Sequence, residues 1–329
     1  MTAFAPTLQS FFIERLMGQR AASPNTVAGY RDTFRIFLAF AAERTGRAPC
    51  ELDFGELDAA LVASFLDNLE HQRNNTVRTR NNRLAAIHSL FGYAARRHPE
   101  HAASIQRVLA IPTKRFERNL VTWLTEEEVE ALVACCDPTT WTGRRDNAML
   151  VLAIQTGLRI SELVGLTCGD IVTGTGAHVH CVGKGRKERR TPLLPLTGKV
   201  MRVWLTERNG SERERLFPTI SGNALSRDAV EHRLALYASM ASETCPSIRT
   251  KRVTSHTLRH TAAMRLLLSG VDVTVIALWL GHEQVSTTDI YLHADMSQKE
   301  RAIARTTPVG TKPGRYHAPD AVLAFLESL

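Results

Sequence analysis

Helical periodicity lapses once in the first half of this chain, and the lapse decides how many bodies the chain can form. Over residues 1–110 apolar side chains recur at three- and four-residue intervals, the signature of amphipathic helices packed on one another. Leu8, Phe11, Phe12 and Leu16 give a first stripe. Ser23 ahead of Pro24 reads as an N-cap with proline in the first turn, followed by Val27, Tyr30, Phe34, Phe37, Leu38 and Ala41. Asp58 opens a third helix through Leu61, Val62, Phe65, Leu66 and Leu69. A fourth runs from about Asn75 to Arg97, burying Leu84, Ile87, Leu90, Phe91 and Ala94 and leaving Arg80, Arg83 and Arg97 to solvent or a ligand. From His98 to Leu120 the pattern weakens, Pro99 and Pro112 interrupt it, and Lys114, Arg115 and Arg118 cluster. The expected organisation is a helical domain over 1–110 and a basic linker over 111–120.

A second domain, expected over 121–310, opens with Thr125-Glu126-Glu127-Glu128, a capping box with Thr125 as cap and Glu128 at the third helical position. Asp146 to Gln155 makes an apolar helix that Gly157 can end in a left-handed turn, and Ile160 to Val164 starts another. His178 to Val182 and Glu188 to Leu194 read as the arms of a β-hairpin around Gly183-Lys184-Gly185-Arg186-Lys187. Helices are expected near Thr197 to Glu207, Arg227 to Ala241, Ser255 to Leu268, Val273 to Leu280 and Ser286 to His293. In the tail, 311–329, Val322, Leu323, Phe325, Leu326 and Leu329 can form a short apolar stripe that needs a surface to bury against. The fold class is mainly α with one small sheet.

Several function classes fall away on composition. Val271 to Leu280, the strongest apolar run, is broken by Asp272 and Thr274, so an integral membrane protein is excluded. Glu14 and Arg15 interrupt Phe11 to Leu16, and nothing reads as a secretory signal. Cys50, Cys135, Cys136, Cys168, Cys181 and Cys245 lack the spacing of a zinc site or redox dithiol, which points to reduced, cytosolic thiols and no metal. The net charge of +8 is modest for 329 residues, but its placement is not even. Between Arg73 and Arg118 ten basic residues (Arg73, Arg78, Arg80, Arg83, Arg96, Arg97, Arg107, Lys114, Arg115, Arg118) face only Glu100 and Glu117. Solvated helix faces usually mix signs, so phosphate contact is the better reading.

Five short segments could carry chemistry: Thr156-Gly157-Leu158-Arg159-Ile160-Ser161-Glu162-Leu163, the Lys184 turn, His256-Thr257-Leu258-Arg259-His260, Leu280-Gly281-His282, and Thr287-Thr288-Asp289-Ile290-Tyr291-Leu292-His293. Each alone is ordinary. On a helix, His256, Arg259 and His260 fall at i, i+3 and i+4 and converge on one face. Arginines, a lysine, histidines and a tyrosine make a poor metal set but a good phosphodiester set, because a guanidinium fork matches two phosphate oxygens. A cationic site without acidic magnesium ligands points to covalent catalysis by a side chain, and a tyrosine can supply it.

With those segments in this order, the chain resembles the tyrosine recombinase, or phage integrase, family. Arg159, Lys184, His256, Arg259, His282 and Tyr291 each match a catalytic position, with Tyr291 nine residues after His282. The resemblance implies a core-binding helical domain and a mixed α/β catalytic domain that clamp DNA between them. It implies that Tyr291 attacks the scissile phosphate to give a 3′-phosphotyrosyl bond, and that Arg159, Arg259 and His282 hold the phosphate oxygens. Lys184 would be the general acid and His256 the base, with Glu162 orienting the site from behind Arg159. His260 is expected to be structural, and His293 has no assigned step. Arg73, Arg78, Arg80, Arg83, Lys114, Arg115, Arg118, Arg186 and Lys187 are the expected DNA contacts.

Implied partners are double-stranded DNA with a specific core site and three further copies in a homotetramer on two sites, or a second recombinase in a mixed tetramer. No membrane, metal or cofactor is required, and the expected location is the cytoplasm, at the nucleoid. Type IB topoisomerases share the chemistry, and a regulator that had lost catalysis would share the fold; a covalent adduct and strand exchange separate the three.

Overall fold

The computed structural model describes residues 4–116, 121–183, 188–281, 288 and 291. They form two compact units, divided between Arg118 and Asn119. The first is all helical: α1 (Phe4–Ser10) running into a π-helical segment Phe11–Gln19, α2 (Pro24–Thr45), α3 (Ala59–His71), α4 (Val77–Ala94) and α5 (Ala102–Leu109). Side-chain caps start the three long helices: Ser23 accepts from Thr26 N, Asp58 from Leu61 N and Thr76 from Thr79 N. Their apolar stripes meet in one core containing Phe11, Phe34, Phe37, Phe54, Phe65 and Phe91. At about 1.5–3 kcal/mol for each large apolar side chain buried, that aromatic core carries the unit.

The chain forms one more helix here than the sequence pattern suggests. α5 lies inside the stretch that reads as a fading connector and contributes only Ile105 and Val108 as buried residues. Two apolar positions are too few to show a period, and packing against α3 and α4 supplies what propensity does not. A second correction concerns Arg80. The helical pattern places it at solvent, yet it is 6% exposed and donates from Nη1 to the Pro112 carbonyl (3.1 Å) and to Asn81 Oδ1 (3.1 Å). Asn81 in turn donates to the Lys114 carbonyl and accepts its backbone N–H. Arg80 therefore secures the segment after α5.

The second unit opens with α6 (Glu126–Ala134), whose capping box of Thr125 and Glu128 is formed. It continues through α7 (Trp141–Thr156), the single turn α8 (Ile160–Leu163), α9 (Pro195–Arg208), α10 (Arg227–Thr244), α11 (Ser255–Leu268) and α12 (Val273–Leu280). Strands β1 (Ile171–Val172), β2 (His178–Val182) and β3 (Glu188–Pro192) make an antiparallel sheet in the order β1-β2-β3, with Val179 opposite Thr191 and Cys181 opposite Arg189. Val179, Cys181 and Thr191 face the core, so Arg189, two residues from Thr191, points inward as well. Mainly α with a small sheet is the class observed.

A buried charge network ties α7 to α10. Asp146, fully buried, accepts from Arg145 Nε (2.9 Å) and Nη2 (2.7 Å), Arg233 Nη1 (2.7 Å) and Tyr237 Oη (2.8 Å). With four donors the carboxylate has its hydrogen-bonding capacity filled, and losing one partner from such a group costs about 3–5 kcal/mol. Among the described residues no helix is long and apolar enough to cross a membrane. The helix expected over Ser286 to His293 and the amphipathic tail lie outside the described residues, apart from Thr288 and Tyr291.

Candidate active site

The site is assembled at the N-terminal half of α11, the start of α8 and the turn after α12. Thr254 caps α11, accepting from Thr257 N, and Glu231 accepts from Ser255 Oγ (2.5 Å), which fixes the helix start. Leu258, Ala262, Met264 and Leu267 face the core, and His256, Arg259 and His260 follow on the same helix.

Arg259 is 5% exposed and held by two backbone carbonyls, Gly157 O (2.6 Å from Nη1) and Leu280 O (2.8 Å from Nη2). Burial, with the nearby charge of Arg159, pushes its pKa down to about 10, so it remains a cation at neutral pH. Gly157 ends α7 at φ +63, and a Cβ there would lie 2.6 Å from Leu280 Cδ2. Glycine takes this turn without strain or clash, and the turn places the carbonyl that Arg259 uses.

Arg159 caps α8 and lies on the neighbouring carbonyl: its Nη2 donates to Gly281 O at 2.8 Å. Adjacent residues of one turn, Leu280 and Gly281, thus each hold one guanidinium. Glu162 sits behind Arg159, its side chain 4% exposed, accepting from the Arg159 backbone N–H (2.8 Å) and from Nη1 (3.0 Å). Burial works to raise the Glu162 pKa, but the hydrogen bonds and charge of Arg189, joined by Arg159, win and hold it below the usual carboxylate range.

Tyr291 is 2% exposed, and its hydroxyl lies 2.9 Å from His260 Nδ1 with the rings edge to face. Burial pushes the phenol up to about 12 against the opposing charge of Arg259. Burial, then the charges of His256 and Arg259, pushes His260 down to about 4, so the ring is neutral at pH 7 and shares one hydrogen bond with the phenol through Nδ1. His256 is exposed, its ring centroid 6.3 Å from that of His260. The histidine on the tyrosine is therefore His260, for which sequence alone suggests only a structural part; spacing puts both on one face and cannot say which reaches Tyr291.

Arg189 is a site-building residue absent from the motif-based set. Its signal is present in the sequence: an arginine at an inward register position of a short strand needs a buried partner. Lys184, Arg186, Lys187, His282, His293 and Arg118 lie outside the described residues. In the first unit Arg73, Arg78 and Arg115 are exposed, Arg78 lying 5.3 Å from the Phe116 ring centroid. Lys114 pairs with Glu70 (2.5 Å), and Arg83 is half-buried with Nη1 buried. Among the described residues no group of three or more His, Cys, Asp or Glu side chains is placed to hold a metal ion.

Residues 122–298 match the phage integrase family, and residues 10–98 match the N-terminal SAM-like domain of phage integrases. The chain belongs to the phage integrase family. A protein of Sinorhizobium fredii named as an integrase/recombinase, y4rC, is 54% identical over 327 residues, 99% of this chain and 98% of the relative. The tyrosine recombinase XerD of Vibrio cholerae is 31% identical over 287 residues, covering 86% of this chain and 90% of its own. Two solved structures share the fold: the Tn1549 transposon integrase with transposon right end DNA (TM-score 0.69, 17% identity, 93% of this chain and 99% of that one) and the XerH site-specific recombinase on palindromic difH substrate (TM-score 0.67, 21% identity, 87% and 81%). Membership makes this integrase-family chain an enzyme, a tyrosine-type DNA strand transferase, and favours recombinase over topoisomerase or inactive regulator, since the relatives named recombinases match it over most of its length.

Proposed function

We propose that the chain is a site-specific DNA recombinase in which Tyr291 is the nucleophile and Arg159 and Arg259 clamp the scissile phosphate. One observation carries the assignment. Two guanidiniums from distant parts of the sequence are held by successive carbonyls, Leu280 O and Gly281 O, immediately before His282, and α11, which bears Arg259, also bears the histidine on Tyr291. Such a paired cationic seat suits the charge that builds on the non-bridging oxygens of a phosphoryl transition state.

The Tyr291 oxygen bonds to phosphorus while the bond to the 5′-oxygen breaks. Lys184 protonates that oxygen as it leaves, giving a free 5′-hydroxyl and a 3′-phosphotyrosine. A 5′-hydroxyl of the second duplex then attacks, restoring the diester and returning the phenol. One phosphoester replaces another, so no external energy source enters. Imidazole with a pKa near 4 is a weak base, so His260 is proposed to hold the phenol and the exposed His256 to take its proton at the scissile phosphate. His282 donates a further hydrogen bond to the phosphate.

Arg73, Arg78, Arg115 and the residues around Lys184 are proposed to contact the backbone of a duplex core site. Four copies on two sites make the proposed assembly, by analogy with the recombination chemistry itself, which exchanges strands between two duplexes; the location proposed is the cytoplasm, at the nucleoid. The test is a nicked suicide substrate on a denaturing gel. Wild type should form a covalent adduct, Tyr291→Phe should form none while still binding the site, and an adduct in the phenylalanine variant would remove Tyr291 from its role.

A further inference from the structure

We propose that Arg189 is a positioning residue of the recombinase site, acting as the counter-charge that keeps Glu162 from neutralising Arg159. The inference rests on the phosphate-clamp reading of Arg159. Arg189 meets Glu162 as a two-pronged fork, Nη1 to Oε1 at 3.0 Å and Nη2 to Oε2 at 2.7 Å. The Glu162 side chain is buried, at 4% exposure, and that of Arg189 is mostly covered, at 12%. Arg159 reaches the same carboxylate with Nη1 alone, while its Nη2 goes to Gly281 O. Arg189 also packs on that glycine: a Cβ on Gly281, which stands at φ +65, would fall 2.7 Å from Arg189 Nη1. Glu162, Arg159, Gly281 and Arg189 thus form a closed ring of contacts.

The charges in the ring explain why a second arginine is needed. Glu162 orients Arg159, but an unpaired buried carboxylate beside a phosphate-binding guanidinium would cancel its charge and draw its fork away from the substrate. With Arg189 taking both carboxylate oxygens, the Glu162–Arg189 pair is neutral. Arg159 is then left with its full charge and its remaining N–H groups free of the carboxylate. Arg189 Nε is buried without a hydrogen-bond partner, so the side chain is placed for its fork and not for its own full satisfaction.

The test compares full-length wild type, Arg189→Gln, Arg189→Lys, Glu162→Gln and the double variant Arg189→Gln/Glu162→Gln, in single-turnover cleavage of a nicked suicide substrate at saturating enzyme. Arg189→Gln should cleave on the order of tenfold to a hundredfold more slowly, with binding to the site within about threefold of wild type. The double variant, freed of the unpaired carboxylate, should recover at least about tenfold over Arg189→Gln. Recovery is what a merely structural role would not produce. Arg189→Lys keeps the charge without the fork and should fall between wild type and Arg189→Gln; it carries the test if Arg189→Gln fails to fold in a urea titration. Unchanged cleavage in Arg189→Gln, or a double variant no faster than the single, overturns the inference. Absence of any wild-type adduct would instead overturn the tyrosine-nucleophile reading beneath it.

Discussion

Replacing Arg259 by lysine separates charge from geometry at the centre of the proposed clamp. A guanidinium has five N–H donors. Two are used on Gly157 O (2.6 Å) and Leu280 O (2.8 Å), so three remain for the phosphate. A lysine ammonium sits on a more flexible stem and presents three donors from one atom, so it cannot serve both carbonyls and also present a fork to the substrate. At least one buried carbonyl then goes without its donor, a cost of about 1–3 kcal/mol to folding. In the transition state, removing one pre-set donor costs about 2.7–4 kcal/mol, or a factor of about 10² to 10³ in rate. The net charge is unchanged, so affinity for the duplex should stay within about threefold. Urea denaturation reads the first quantity, single-turnover adduct formation the second and a gel shift the third. Cleavage within threefold of wild type would show that charge alone suffices at this position and would refute the fork argument.

Three other perturbations have outcomes set by the same structure. Lys184→Ala should cleave ordinary DNA poorly and recover on DNA with sulfur at the 5′-bridging position, because a thiolate leaves without a proton; equal defects on both substrates would remove Lys184 as general acid. Alanine at the exposed Arg73, Arg78 and Arg115 should lower the slope of log K against log salt by roughly 0.9 for each arginine that neutralises a phosphate, and an unchanged slope would return these residues to a solvated face. Arg80 is unsuited to that experiment, since its removal would release Pro112 before it reported on DNA. His260 is held neutral in the folded chain, with a pKa of about 4 against 6.5 in the unfolded chain, so the unfolded state takes up its proton first and stability should fall as pH drops from about 6.5 to about 4. His260→Asn should lose less stability across that window in urea titrations; an identical pH dependence would mean that His260 is not buried as a neutral ring.

Relations between neighbours in sequence are legible without a structure, because they depend on spacing alone. Ser23, Asp58 and Thr125 cap their helices as their side chains and following residues require, and α11 runs over Ser255–Leu268 where its apolar period places it. Arg259 and His260 belong to one helix for the same reason, and the ordered set from Arg159 to Tyr291 is enough to suggest the family. What spacing cannot supply is any relation that depends on where elements meet. The period of α11 leaves His256 and His260 equivalent; only its packing buries His260 beside Tyr291 and leaves His256 exposed. α5 shows no clear period because two apolar residues suffice once α3 and α4 provide the surface. Arg80 reads as a ligand contact because an arginine has no preferred side of a helix until a carbonyl such as Pro112 O is brought to it. The fork from Arg189 to Glu162 joins a strand to a single helical turn, and the carbonyls that hold Arg159 and Arg259 are backbone atoms that every residue possesses. Local backbone preference and periodicity specify the helices other than α5 and several of their caps, and residue type specifies the chemical set. Tertiary structure alone decided which members of the set touch, because a buried charge or hydroxyl is satisfied only by the partner that packing delivers.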